Sequence, residues 1–162
     1  MNIVDCDAHV LEPANLWQTY LEPKYRDRAI RIEEHYGVEK LIIGEEVVLE
    51  GVVAGLGGAE ADKAELFGGG LSYVRDNPPD SYDPHARADR MDAWGIDQAV
   101  MFPTIGILPF PTSDQALASA YCRAYNTWMT EFCQAVPGRF HPVALVNWYD
   151  VESAVAELRS CI

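Results

Sequence analysis

The sequence is short of positive charge: 12 Lys and Arg stand against 25 Asp and Glu, a formal net charge of −13. Such a surface repels phosphate backbones, which argues against nucleic acid as a partner. It disfavours anionic membranes for the same reason. It sets no limit on a small substrate, because a local metal ion or arginine reverses the field inside a pocket. Long apolar runs are missing too; none approaches the ~18 residues that span a bilayer. The opening MNIVDCDAHV lacks a basic start and carries acids where a signal peptide is apolar, so no export signal is expected. Cysteines are few (Cys6, Cys122, Cys133 and Cys161), with no CxxC pair and no zinc-ribbon spacing. They read as reduced thiols of a cytoplasmic protein, structural in role, with Cys122 and Cys133 facing a core. Internal repeats are absent. The glycine-rich stretches at 55–58 and 68–70 are followed by no Lys-Ser or Lys-Thr, and no strand leads into a helix start there, so a phosphate cradle is rejected.

What is present is an ordinary globular composition over 162 residues, 49% hydrophobic and 10% aromatic, the size of one domain spanning 1–162. Ile3 to Val10 alternates in the period of a strand, and Pro13 breaks it. Asn15 to Leu21 is a short helix candidate ended by Pro23. From about Glu33 to Asp83 the chain leaves the main pattern. Lys40–Ile43 and Val47–Leu49 flank Gly44-Glu45-Glu46 as a hairpin, and Gly- and Pro-rich loops follow. Asp83-Pro84 then starts a helix that runs to Trp94 and stops at Gly95. Gln98–Phe102 reads as a buried strand. Thr112 with Gln115 reads as a capping box for a helix in which Leu117, Tyr121, Ala124, Tyr125, Trp128 and Phe132 recur at helical spacing. Pro142–Val146 reads as another buried strand, and Asp150 caps a final helix. Apolar strands separated by helices imply parallel pairing and an α/β fold.

The chemistry gathers on the first strand. Residues two apart share a face, so Asp5, Asp7 and His9 are expected to point one way. Burying two carboxylates and an imidazole together costs several kcal/mol unless a cation compensates. Asp7-x-His9 offers an oxygen and a nitrogen to one divalent ion. The competing reading puts Asp5 and Asp7 beyond the strand end in solvent and His9 in a loop. His35 and His85 are expected to be peripheral. His141 falls at the N-terminal end of its strand, away from the end where ligands collect in parallel sheets.

Asp5-x-Asp7-x-His9-x-x-Glu12-Pro13, with Leu16-Trp17 and Tyr20-Leu21-x-Pro23-Lys24-Tyr25-Arg26, resembles the amidohydrolase-related family. This is the branch of the metal-dependent amidohydrolase superfamily that holds aminocarboxymuconate-semialdehyde decarboxylase and its relatives. Tyr82-Asp83-Pro84, Arg87, Asp89 to Asp92, Gly95-Ile96-Asp97, Phe102-Pro103-Thr104, and Gly138-Arg139-Phe140 with Pro142–Leu145 resemble it also. The resemblance implies the N-terminal part of a (β/α)8 TIM-type barrel, incomplete as given, with the hairpin and Gly-rich excursion (about 33–83) after the first strand. It implies one divalent metal, zinc or manganese, at the C-terminal strand ends, with Asp7 and His9 as ligands. The acid-x-His form is similar to that of non-oxidative decarboxylases of aromatic acids. Thr104 and Asn147 would lie near the barrel mouth, lining the pocket or capping turns.

The family's further ligand His and its catalytic Asp come from later strands, beyond these 162 residues, so no catalytic residue is assigned here. The expectation is the N-terminal portion of a metal-dependent hydrolase or decarboxylase of a small organic substrate, aromatic or carboxylate-bearing. As this fragment it is expected to be inactive, with weak or absent metal binding. The alternative is a complete but non-catalytic part-barrel, a subunit or interaction module. Open sheet edges call for a homo-oligomer or a partner chain.

Overall fold

In the computed structural model, residues 2–51, 53–56, 62, 64, 71–108, 110 and 112–161 are described. The elements, in chain order, are β1 (Val4–His9), α1 (Leu16–Tyr20), β2 (Arg31–His35), β3 (Val38–Ile43), β4 (Glu46–Glu50), α2 (Pro84–Trp94), β5 (Gln98–Phe102), α3 (Gln115–Ala135), β6 (Phe140–Pro142) and α4 (Val151–Ser160). Short 3-10 turns lie at Pro23–Arg28, Val53–Leu56 and Pro79–Ser81. The strands form two small sheets. One is parallel, in the order β1-β5-β6; the other is antiparallel, in the order β2-β3-β4. The result is an α/β fold in an unclosed, barrel-type arrangement. Among the described residues the outer edges of β1 and β6 have no neighbouring strand.

The helix starts follow local chemistry. The Asp83 carboxylate accepts the Ala86 amide at 2.8 Å, Pro84 takes the first position of α2, and Gly95 closes it at φ 71°. Asp150 caps α4 through the Ser153 amide at 3.1 Å. The start of α3 differs from the expected capping box. Asp114 is the cap and accepts the Leu117 amide at 3.1 Å, while the Thr112 hydroxyl, two residues before the cap, accepts the Asp114 amide. Arg28 decides this: its guanidinium holds the second Asp114 oxygen at 2.8 Å and fixes the carboxylate over the helix end.

The last strand also differs from its expected span of 142–146. The ladder covers Phe140–Pro142, and Val143 adds one bond to the Met101 carbonyl. After that, Asn126 on α3 takes over. Its side-chain amide donates to the Leu145 carbonyl and accepts the Leu145 N–H, both at 2.8 Å, which draws the chain off the sheet.

The excursion begins earlier than Glu33. β2 starts at Arg31 and pairs with β3, so the expected hairpin β3-β4 is part of a three-stranded sheet. The Arg31-Ile32-Glu33-Glu34-His35 strand carries too little apolar alternation to announce itself. The turn at Gly44 (φ 64°) joins β3 and β4. Gly57, Gly58 and the Gly68–Gly70 run lie outside the described residues.

The core sits between the parallel sheet and α3. Leu117, Tyr121, Ala124, Tyr125, Trp128 and Phe132 are buried, as their spacing requires. Phe132 packs on Phe140 of β6 at 5.3 Å between ring centroids, and Tyr121 meets Trp17 of α1 edge-on at 5.9 Å. These contacts bury Ala8, Ala99, Met101 and Phe140 on the helix-facing side of the sheet. The opposite face carries Val4, His9, Gln98, Val100 and His141, none of them buried.

Candidate functional site

Asp5, Asp7 and His9 all lie within β1, but they do not share one face. Asp5 pairs with Ala99 and Ala8 with Met101, so three steps on β1 match two on β5. That surplus residue is a bulge, and a bulge reverses the alternation beyond it. Asp5 therefore stands with Ala99 on the helix side, half-buried, where its charge acts on Arg87 of α2. His9 pairs with Phe102 and stands on the open side. Asp7 lies inside the bulge and is exposed, its amide held by an Asp5 carboxylate oxygen at 3.0 Å. The expected shared face is corrected to this extent. A strict period of two cannot include a bulge.

His9 is at the C-terminal end of β1 and is oriented by its neighbours. Its Nδ1 lies 2.8 Å from the Pro103 carbonyl, which can only accept, so in the neutral ring Nδ1 carries the proton and the lone pair falls on Nε2. The Thr104 hydroxyl lies 3.5 Å from the same nitrogen. Arg87 donates to the His9 carbonyl at 2.6 Å from the helix layer.

Directly behind this pair is a residue that the sequence reading gave no role. Glu12 is fully buried (0% exposed) at the end of the β1 extension. Its carboxylate accepts three consecutive backbone N–H groups from the loop after β5: Thr104 at 3.1 Å, Ile105 at 2.9 Å and Gly106 at 2.9 Å. Successive amides of this kind form an anion nest. Burial pushes the Glu12 carboxyl up from the usual carboxylate range, against the pull of those amides. Tyr73 donates to the Glu12 carbonyl at 2.8 Å, and its hydroxyl is pushed up by burial and then by the Glu12 charge. The available signal was an acid following Val10-Leu11 in an apolar run, where a charge needs a partner.

Beside the site, a cavity of about 390 Å³ opens between the loops that follow β5 and β6. Phe102, Leu108, Phe110, Leu145 and Trp148 give it an apolar lining. Asn147 lines it and also fixes the turn: its carbonyl oxygen accepts the Tyr149 amide at 3.3 Å, and its amide donates to the Ser119 hydroxyl at 3.1 Å. Thr104, by contrast, is buried beneath His9 and does not line it.

The other histidines are peripheral. His35 pairs with Glu33 at 3.2 Å, His85 is exposed, and His141 bonds Gln98 at 2.9 Å at the N-terminal end of β5. All four cysteines are free. Burial pushes the Cys122 thiol up to about 12 and that of Cys133 to about 11, which disfavours the thiolate at both. Among the described residues no group of three or more His, Cys, Asp and Glu side chains is placed to hold a metal ion. No helix among them is long and apolar enough to cross a membrane.

The fold is similar to that of an amidohydrolase. A crystal structure of an amidohydrolase from Mycobacterium avium subsp. paratuberculosis K-10 superposes with a TM-score of 0.75 at 21% identity. The match covers 98% of this chain and 46% of that one, so the chain spans about half the length of its structural relative. A crystal structure of 2,6-dihydroxybenzoate decarboxylase from Rhizobium gives a TM-score of 0.48 at 16% identity, over 99% of this chain and 35% of that one. No protein-family profile and no curated protein matches the sequence.

Proposed function

We propose that this chain supplies one side of the active site of a metal-dependent hydrolase or non-oxidative decarboxylase, with Asp7 and His9 as two of the ligands of a divalent ion. The observation that carries the reading is the His9 Nδ1 bond to the Pro103 carbonyl. A metal-binding imidazole needs its second nitrogen held in this way, so that the first is a free donor with a fixed direction. The donor types, one carboxylate and one imidazole, suit zinc or manganese. Two donors make a partial set, since a catalytic zinc takes three protein ligands and an open position. Zinc or manganese is therefore expected to bind weakly to these 162 residues, and turnover is not expected from them alone.

A bound divalent ion would supply Lewis-acid polarisation of a substrate oxygen or a low-pKa water. The chain's own contributions are separate from that. His9 and Asp7 present donors at the C-terminal strand end. Phe102, Phe110, Leu145 and Trp148 give the adjoining cavity an apolar wall, and its aromatic rings would stack against a flat apolar body. At about 390 Å³ the cavity lies within the range of small-molecule sites, which fits a small aromatic or otherwise apolar acid.

Calorimetric titration of zinc and manganese into the wild type and into the Asp7→Ala/His9→Ala double variant tests the assignment. Weak binding of about one equivalent, lost in the double variant, supports it. Equal binding by both proteins rejects it.

A second reading has its own observation. Val151, Val155 and Leu158 are 70%, 41% and 44% exposed on one face of α4, and among the described residues no strand covers the outer edges of β1 and β6. A part-barrel whose apolar face and edges are covered by another chain, acting as a subunit and not as a catalyst, accounts for these surfaces.

A further inference from the structure

Glu12 is a fully buried acid that no step of the proposed chemistry uses. We propose that Glu12 is a positioning residue that sets the tautomer and direction of His9 through the backbone of the Pro103–Gly106 loop. The inference deepens the reading of His9 as a metal ligand, but the coupling itself does not depend on a metal.

The path is short: two hydrogen bonds joined by one peptide unit. The Glu12 carboxylate takes the amides of Thr104, Ile105 and Gly106. Three amides converging on one buried carboxylate fix the peptide planes of the loop. The Thr104 amide belongs to the same peptide unit as the Pro103 carbonyl, so holding that N–H fixes the direction of that C=O. The Pro103 carbonyl is the group that receives His9 Nδ1–H at 2.8 Å. Glu12 never touches the ring; it orients the acceptor that orients the ring. Space enforces the same arrangement from the other side. A Cβ on Gly106 would lie 3.0 Å from the Pro103 ring, 3.0 Å from Leu145 Cδ2 and 3.4 Å from Glu12 Oε1. A side chain at position 106 would therefore press on the loop at the place where it meets the carboxylate. Were the carbonyl to turn away, Nδ1–H would lose its acceptor. The lone pair and the proton could then exchange places, leaving no free donor at Nε2.

The experiment is nitrogen-15 NMR of histidine-labelled 162-residue protein, without metal, in alkaline buffer where histidines in general are neutral. In the wild type the His9 resonances, assigned with His9→Ala, should show Nδ1 protonated and Nε2 unprotonated. The Thr104, Ile105 and Gly106 amides should exchange slowly with deuterium. Glu12→Gln, which keeps the shape but supplies one acceptor oxygen in place of two, should move His9 toward the Nε2–H form. Its amide spectrum should stay dispersed. Gly106→Ala, which displaces the same loop sterically, should do likewise, so a fold lost in one variant leaves the other to report. A wild-type His9 in the Nε2–H form, or fast exchange of the three amides, overturns the proposal without any variant. So does a folded variant whose His9 keeps its wild-type tautomer. Loss of metal binding in Asp7→Ala/His9→Ala is read separately, so a failed metal assignment and a failed coupling remain distinguishable.

Discussion

The Glu12 carboxylate and the Gly106 amide meet at 2.9 Å in a place where an added methyl group would force its neighbours to give way by a few tenths of an ångström. An added Cβ there meets the Pro103 ring and Leu145 at 3.0 Å each, and the proline cannot rotate away. Overpacking of this kind costs about 1–3 kcal/mol. Gly106→Ala should therefore lower the urea midpoint, and its melting temperature should fall by roughly 2–4 °C for each kcal/mol lost. An unchanged midpoint would show that the loop relaxes freely and that Gly106 is not under steric constraint.

Asp7 and His9 are exposed, and the one short hydrogen bond of the His9 ring is to the Pro103 carbonyl. The Asp7→Ala/His9→Ala protein should keep its fold, with a stability loss near the worth of that one bond, about 0.5–1.5 kcal/mol. Urea unfolding checks this directly. A loss of several kcal/mol would mean that the pair serves the fold and not a ligand.

Asp114 gives the acid side of the stability profile a defined sign. The Arg28 guanidinium, and then the Leu117 amide, hold its carboxyl below the ordinary aspartate range. A depressed folded-state value means stability that is present above the unfolded value and lost as pH falls through the folded one. The difference in urea midpoint between wild type and Asp114→Ala should be full at neutral pH. It should shrink below the ordinary value of about 3.8. A difference that grows on acidification contradicts the ion pair as the cause.

Val151, Val155 and Leu158 line one exposed face of α4 beside Trp148 and Tyr149, which are 74% and 75% exposed. Apolar area of that extent favours association. Sedimentation of the wild type should show mass rising with concentration, and Val155→Lys/Leu158→Lys should shift it to the monomer. A wild type that sediments as a monomer at every concentration rules out self-association through this face.

The sequence carried the helices and the strands β1 and β5 well, because their signals are local. Asp83, Pro84 and Gly95 bracket α2 within the chain itself, and the apolar spacing of α3 is a period that packing preserved. Three features depend on distant partners and were not legible. Arg28 decides that Asp114, not Thr112, caps α3. Asn126 ends β6 from a neighbouring helix. The bulge in β1 shows only once Ala99 and Met101 are its partners, and it alone separates Asp5 from His9. Glu12 stood in the quoted motif, yet its role needed the Thr104–Gly106 amides, some ninety residues away, to be seen.

That separation has a consequence in time. The β1–β5 ladder joins Val4 to Gln98, while β5–β6 joins Ala99 to Phe140 across a far shorter loop. Loop closure costs more entropy for the longer span, and non-local pairing is slow. The expected order on refolding is β5, α3 and β6 first, with the N-terminal strand docking afterwards onto a finished edge. In pulse-labelled hydrogen exchange, the Ala99 amide, bonded to Arg139, should gain protection before the Val10 amide, bonded to Phe102. Asp7 and His9, the proposed metal donors, would then be the last to reach their places.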